Sequence, residues 1–368
     1  MILVTGGAGF IGSHLVDALL NKGHRVRVLD AFVEQVHGAQ PRALPCEVDV
    51  VRGDVRDRSV VDRALRGVDV VFHLAAEVGV GQSMYEIERY VSANCLGTAT
   101  LLEAVVRRRR EIRKLVVASS MSIYGEGSYR CAECGPREPE PRDEAQLKDR
   151  AWEVRCDRCG VALEPMLTPE TKALNPASVY AITKQDEEQY CLVVGKAYSI
   201  PTVALRYFNV YGRRQALSNP YTGVMAIFCG RLLNKQPPLI FEDGLQSRDF
   251  THVSDVVRAN LRAMESARAD FHSINVGTGV ATSVKRVAQL LGKEMNTEIQ
   301  PTIVGRYRAG DIRHCVGDIT RARNLLGFEP EVSVENGIPE LLRWVVEQRA
   351  VDTVDKATQE LVTRGLVR

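Results

Sequence analysis

The sequence has no segment approaching the ~18 uninterrupted apolar residues of a membrane-spanning helix, so no membrane association is expected. It also lacks charge of one dominant sign: 48 Lys and Arg stand against 46 Asp and Glu, a formal net charge of +2. That balance gives no reason to expect nucleic acid as a partner. The one dense basic run, Arg107 to Arg110, closes an amphipathic pattern and reads as a solvated helix C-terminus favoured by the dipole. No charged leader or cleavage site precedes the first apolar run, Ile2-Leu3-Val4, so secretion is not expected and a cytoplasmic location is. What remains is an ordinary globular composition, 45% hydrophobic and 26% charged, in 368 residues. That length exceeds what one core usually serves and predicts a main domain with a smaller domain or lobe.

Residues 4–12 read Val-Thr-Gly-Gly-Ala-Gly-Phe-Ile-Gly between an apolar run and a helical pattern that ends at Lys22-Gly23. Gly6, Gly9 and Gly12, followed by the helix opening at Phe10 and Ile11, suit a tight turn where backbone approaches a pyrophosphate at a helix N-terminus. Such a fingerprint is weak alone. Asp30, at the end of the next β-branched run and ~20 residues on, can accept hydrogen bonds from adenosine ribose hydroxyls, which favours NAD over NADP. Its plainer role would be to cap the turn before Ala31-Phe32. Asp54 and Val55, after a third run, are candidates to clasp adenine, and Leu74, Ala75 and Ala76 carry small groups where backbone would meet cofactor.

Further apolar runs at 48–51, 68–74, 114–119 and 202–206 alternate with helical segments, the pattern of a doubly wound parallel α/β sheet. The expected division is a Rossmann-type domain over 1–127 and 171–212, an insertion over 128–170, a substrate lobe over 213–350 with some return to the sheet, and a polar tail over 351–368 with no assignable chemistry. Tyr180 and Lys184 stand four apart in a helical segment, so one face presents both and the ammonium can lower the phenol's pKa. Ser120 lies at the end of the preceding strand, with Ser122 beside it. Its hydroxyl can hold a sugar oxygen while Tyr180 moves that oxygen's proton and a hydride moves to or from a nicotinamide. A single strand-end serine would be unremarkable; the three groups in this order are not.

On these motifs the chain resembles the extended short-chain dehydrogenase/reductase family, specifically its nucleotide-sugar epimerases and dehydratases. Further matches are Asn94-Cys-Leu-Gly97-Thr98, Arg206-Tyr207-Phe208-Asn209-Val210-Tyr211-Gly212, the segment Gly244 to Phe250, and Arg308-Ala-Gly-Asp311. The resemblance implies that Asn94 and Tyr207 touch the cofactor and that Asn209, Arg248 and Arg308 hold the sugar nucleotide. Two arginines on a diphosphate would give charge-assisted forks, although either alone could be a surface ion pair. It also implies a homodimer built through the helix near Ile87 to Val106 and the helix bearing Tyr180, with Tyr190, Leu192 and Val193 offered to that interface or to the core.

Relatives that act at a second sugar carbon place Asp-Glu or Ser-Glu after the active-site hydroxyl residue, whereas this chain has Met121 and Ser122. With no carboxylate there to abstract a second proton, oxidation at C4 and re-reduction on the other face is expected, a 4-epimerase; a 4,6-dehydratase, a net reductase and a non-enzymatic NAD-sensing scaffold are the alternatives. Residues 76–85, including Val80, Gly81, Gln82 and Ser83, would line the sugar site. Together with residues 119–125 they look most like dTDP-L-rhamnose 4-epimerases, with UDP-glucose 4-epimerases sharing most features, so the expected partner is a dTDP- or UDP-sugar. Cys315 falls where the family limits pocket size, and its small thiol suggests a roomy sugar site.

The insertion departs from the family pattern. Cys131, Cys134, Cys156 and Cys159 form two C-x2-C knuckles 21 residues apart, each followed by glycine. This spacing predicts a closed tetrahedral structural zinc site; two disulfides or a redox pair are the alternatives. Residues 135–154, rich in Pro, Glu and Arg, could hardly build a core, so the metal would order them. The insertion's place between Ser120 and Tyr180 suggests a lid, a sugar contact or a partner surface at the mouth of the site.

Overall fold

The computed structural model describes residues 1–39 and 41–368. Its centre is a seven-stranded parallel sheet. In space it runs Ser273–Val276, Thr202–Tyr207, Lys114–Ser120, Val70–His73, Ile2–Thr5, Val26–Asp30 and Asp49–Arg52. The order reverses beside Ile2–Thr5, and in such sheets the ligand crevice lies outside the strand C-termini at that switch point. The inner strands are buried on both faces, which is why they read as continuous Val-Ile-Leu runs rather than alternating ones. One face packs on the helices Phe10–Asn21 and Val253–Glu265, the other on Arg58–Ala64, Gly97–Arg107 and Val179–Ala197. This is the doubly wound α/β architecture that the run pattern predicts.

A second apolar core joins the helices Val224–Leu233, Val284–Glu294 and Val334–Val345 over the C-terminal side of the sheet. A separate six-stranded sheet is assembled from distant pieces: Thr282–Ser283, Ser247–Arg248, His314–Gly317, Glu164–Thr168, Ser128–Cys131 and Gly135–Arg137. Residues 128–168 therefore share a sheet with residues 247–317: Leu167 and Thr168 pair in parallel with Val316 and Gly317.

One expected helix differs in detail. The segment from Ile87 to Arg107 is interrupted by a π-helical turn at Val91–Leu96, which rotates Asn94 into the interior. The tail forms a helix, Val354–Thr363, and then pairs Val367 with Arg308. Among the described residues no helix is long and apolar enough to cross a membrane.

Candidate active site

One cavity of about 890 Å³ runs along the C-terminal edge of the central sheet, from the glycine turn to Arg248 and Arg308. At its first end Gly6 holds φ +67°, and a Cβ on Gly12 would lie 2.1 Å from the Gly6 carbonyl oxygen. Only glycine permits this contact. The helix Phe10–Asn21 starts from Gly9, whose lack of a side chain leaves the first-turn N–H groups without a capping acceptor. Gly9, Phe10, Ile11 and Gly12 all border the cavity, so those N–H groups suit an anion.

Asp30 closes the adjoining strand. Its carboxylate accepts from the N–H groups of Ala8 and Phe32, both at 2.9 Å, and lies 3.3 Å from His37 Nε2. Burial works to raise this carboxyl, but the His37 and backbone hydrogen bonds outweigh it and hold it below the ordinary carboxylate range. Asp54 is gripped by Arg56, with Oδ2 accepting from Nη2 at 2.7 Å, and this hydrogen bonding lowers its pKa. Asp54, Val55, Leu74, Ala75, Ala76 and Tyr207 all line the cavity. The fit to a dinucleotide rests on this set: a Cβ-intolerant turn, open helix N–H groups and an acid at the neighbouring strand end.

In the middle of the cavity Ser178 caps the helix Val179–Ala197 by accepting from Ala181 N–H. The next turns present Tyr180 and Lys184 on one face. Burial holds the Tyr180 phenol above its ordinary value, against the lowering influence of the Lys184 charge and the nearby Ser120 hydroxyl. Ser122 Oγ donates to Ser120 Oγ at 2.9 Å, so both serines of the strand end reach the same point. Lys184 Nζ is also bonded to buried Glu187 Oε2 at 2.7 Å.

At the far end, Arg248 Nη2 donates to Asp311 Oδ1 at 3.1 Å and Arg308 Nη2 to Asp311 Oδ2 at 2.7 Å. The two guanidiniums thus converge on one carboxylate at the cavity wall. Burial would raise the Asp311 carboxyl, but Arg308 and Arg248 bring it down to about 2. Asn209 lines the same end, and its side-chain oxygen is buried without a partner.

Four predicted residues lie behind the cavity. Asn94 is fully buried and ties the backbone of Glu77 to Thr183 Oγ1 on the Tyr180 helix. Ser83 Oγ accepts from Tyr180 N–H at 3.0 Å, and Gln82 bonds Gln35, Glu86 and Tyr90; of residues 80–83, Val80 and Gly81 reach the lining. The turn at 80–83 points its polar side chains toward packing partners, which corrects their expected contact with sugar. Cys315 likewise packs against Met121, Tyr124 and Phe208 and leaves the cavity's size to other residues. The insertion contributes no lining residue, and its Arg142 reaches the backbone carbonyl of the lining residue Asp311 at 3.2 Å.

Sequence reasoning missed Phe241, whose ring lies 4.8 Å beneath the Arg308 guanidinium, and the tail residues Leu361 and Leu366, which form cavity wall. The only signal for Leu361 was its i, i+4 spacing from Ala357 in an otherwise polar tail.

The sheet order and its switch-point cavity define a doubly wound dinucleotide-binding protein. The chain matches the NAD dependent epimerase/dehydratase family over residues 2–144 and 162–277, and it belongs to that family. It is 33% identical over 351 residues to the dTDP-L-rhamnose 4-epimerase of Burkholderia thailandensis, covering 94% of this chain and 95% of that one. Among solved structures it is similar to the UDP-glucose 4-epimerase of Thermotoga maritima with UDP-glucose, with TM-score 0.76, 32% identity and coverage of 94% and 98%. It is also similar to the UDP-glucuronic acid 4-epimerase of Bacillus cereus in complex with UDP-glucuronic acid and NAD, with TM-score 0.77, 29% identity and coverage of 94% and 99%.

Proposed function

We propose that this chain is an NAD-dependent nucleotide-sugar 4-epimerase acting on a dTDP- or UDP-hexose. One observation carries the reading: Ser120, Tyr180 and Lys184 meet midway along a cavity that has a dinucleotide turn at one end and paired arginines at the other. The glycine turn at Gly6–Gly12 and Asp30 would hold NAD, which would supply reversible hydride chemistry for oxidation at C4 of the sugar and re-reduction on the other face. Ser120 would hold the C4 oxygen, and Tyr180 would take its proton as the carbonyl forms and give it back afterwards. Lys184 stabilises the phenolate that this requires. Met121 and Ser122 supply no carboxylate for a second abstraction, which separates this reading from a 4,6-dehydratase. The similarity to 4-epimerases over nearly the whole chain supports it.

The four cysteines fit a structural zinc ion. Their sulfurs all lie within 4.8 Å of one another, with Cys131 Sγ 3.5 Å from Cys159 Sγ. A tetrahedral site with Zn–S of about 2.3 Å has sulfur edges of about 3.8 Å, whereas a disulfide would need about 2.05 Å. Backbone N–H groups of Arg158 and Cys159 draw the Cys156 thiol down to about 6. The neighbouring Cys156 and Cys134 raise the pKa of the Arg137 guanidinium, whose Nε and Nη2 have no hydrogen-bond partner and which is an apt counter-charge for four thiolates. With four protein ligands the ion would be closed to substrate.

A homodimer is supported by an exposed apolar stripe on the two expected helices, comprising Ile87, Val91, Leu96, Ile182, Tyr190 and Val193, while Leu192 belongs to the core. The protein would work in the cytoplasm, where nucleotide sugars are made and thiolates persist.

The test is to incubate the protein, without added cofactor, with dTDP-L-rhamnose and separately with UDP-glucose, following the C4 configuration by proton NMR. Formation of a C4 epimer is the expected result. A 4-keto product or accumulating NADH would replace the epimerase by a dehydratase or net oxidoreductase.

A further inference from the structure

The segment that carries Arg308 and Asp311 is held from two sides by parts of the chain that never reach the cavity's catalytic middle. On one side stands the insertion. Its Arg142 is buried, forks onto Glu242 at 2.8 and 3.0 Å, and donates to the backbone carbonyl of Asp311 at 3.2 Å and of Trp152 at 2.9 Å. Glu153, adjacent to Val154 in the small core around Cys131 and Cys156, accepts from Arg313 Nε at 3.0 Å and bonds His314 at 3.1 Å. Arg248 in turn donates to the carbonyls of Ile312 and Arg313, at 2.6 and 2.9 Å. A short chain of charge-assisted hydrogen bonds therefore links the four-cysteine core to both cavity arginines.

On the other side stands the C-terminal tail. Ala309 N–H donates to the Leu366 carbonyl at 2.8 Å, and Tyr307 and Arg368 exchange backbone hydrogen bonds at 3.0 Å, so Arg308 sits opposite Val367 in an isolated antiparallel bridge. Arg368 Nη1 then reaches Glu144 of the insertion at 2.5 Å and closes the ring.

We propose that the metal-ordered insertion and the C-terminal tail form a clamp that presets Arg248 and Arg308 for the diphosphate of the substrate, with Arg142 as its positioning residue. The proposal rests on the nucleotide-sugar reading above. Its physical content is preorganisation: a guanidinium already fixed by its neighbours loses little freedom on binding, so removing the neighbours weakens the ligand without removing any ligand contact. A lysine cannot reproduce the fork that Arg142 makes on Glu242 while also reaching Asp311 and Trp152. None of the clamp residues Arg142, Glu144 and Glu153 borders the dinucleotide turn, so the cofactor should not sense the clamp.

The experiment is calorimetric titration of dTDP and UDP into the NAD-bound protein, comparing wild type, Arg142→Met and the milder Glu153→Gln, with bound NAD and zinc content measured on each. Arg142→Met should weaken nucleoside-diphosphate binding about tenfold, as expected for losing hydrogen bonds from a charged group, with NAD and zinc unchanged. Glu153→Gln should weaken it less, and covers the case in which Arg142→Met fails to fold. Chelation of the zinc from wild type should reproduce the larger loss. In turnover the loss should fall on KM, with kcat held. Equal nucleotide affinity in wild type, the variants and the chelated protein would overturn the clamp alone. Failure of wild type to bind either nucleotide would overturn the nucleotide-sugar reading on which the clamp rests.

Discussion

The cofactor end and the substrate end of the cavity are built in opposite ways. At the cofactor end Gly6, Asp30, Asp54, Val55, Leu74, Ala75 and Ala76 sit at the C-terminus of a strand or in the turn that follows it, and successive strands come from successive stretches of chain. Apolar clusters on both faces of the sheet hold these turns in place. At the substrate end six short strands are collected from residues 128 to 317, and the side chains behind them are charged: Glu126, Arg142, Glu242, Asp311 and Arg313, all largely buried. Hydrophobic packing is non-directional and tolerant, whereas a buried charge network depends on every partner being present. One end is thus a scaffold for a common cofactor, and the other is a set of fitted polar contacts through which a family can change its substrate.

Tyr180 belongs to neither end, so its removal should give the largest effect and spare both. Tyr180→Phe should lower kcat by about 10³-fold, within the usual range for losing a positioned acid–base group, with NAD content and nucleoside-diphosphate affinity unchanged. A loss of binding in this variant would mean that the two ends are not separable. Gly12→Ala should come next. Its Cβ would meet the Gly6 carbonyl oxygen, an overpacking cost of about 3 kcal/mol, so NAD affinity should fall roughly 100-fold while dTDP or UDP binding persists. Arg248→Met should show the reverse pattern, about 2 kcal/mol or roughly thirtyfold in nucleotide affinity with NAD retained. The two ends share no partner among these residues, so in the double variant the losses should add; non-additivity beyond about 0.5 kcal/mol would break the comparison.

This contrast also explains what the sequence discloses. The Rossmann-type sheet was legible because local repetition encodes it: each strand, turn and helix is contiguous, and Gly6, Gly12 and Asp30 mark their own positions. Tyr180 and Lys184 were legible because helical geometry fixes residues four apart. Nothing local tells that Leu366 lines the same cavity as Ser120, or that Val316 pairs with Leu167 in a sheet begun by the insertion. The orientation of a short turn was equally hidden: residues 80–83 carry the polar groups expected of a sugar site, but Ser83 supports Tyr180 from behind. Asn94 faces inward because a π-helical turn shifts its phase, which a 3.6-residue period cannot foresee.

The smallest effect should come from a residue that no motif marks. Glu187 is fully buried three residues after Lys184, with one oxygen on the Lys184 ammonium and the other without a partner. Burial pushes its carboxyl up to about 7, against the pull of Lys184, so it changes charge within the working range of an enzyme. The groups around this pair are Tyr180, Asp186 and Cys191 on the same helix, Cys95 on the π-helical turn and His73 on its strand, where burial and Lys184 bring His73 down to about 3 and keep it neutral. Above about pH 7 the Glu187 carboxylate offsets the Lys184 charge and holds the Tyr180 phenol higher; below it, the carboxyl is neutral and the offset disappears. Glu187→Gln removes the anion at every pH. Its kcat should therefore match wild type on the acid side of pH 7 and rise above wild type as pH increases through 7, because the phenolate forms more readily. A pH profile of kcat in both proteins gives that ratio directly. A ratio independent of pH would confine Glu187 to packing and leave the tuning of Tyr180 to Lys184 and Ser120.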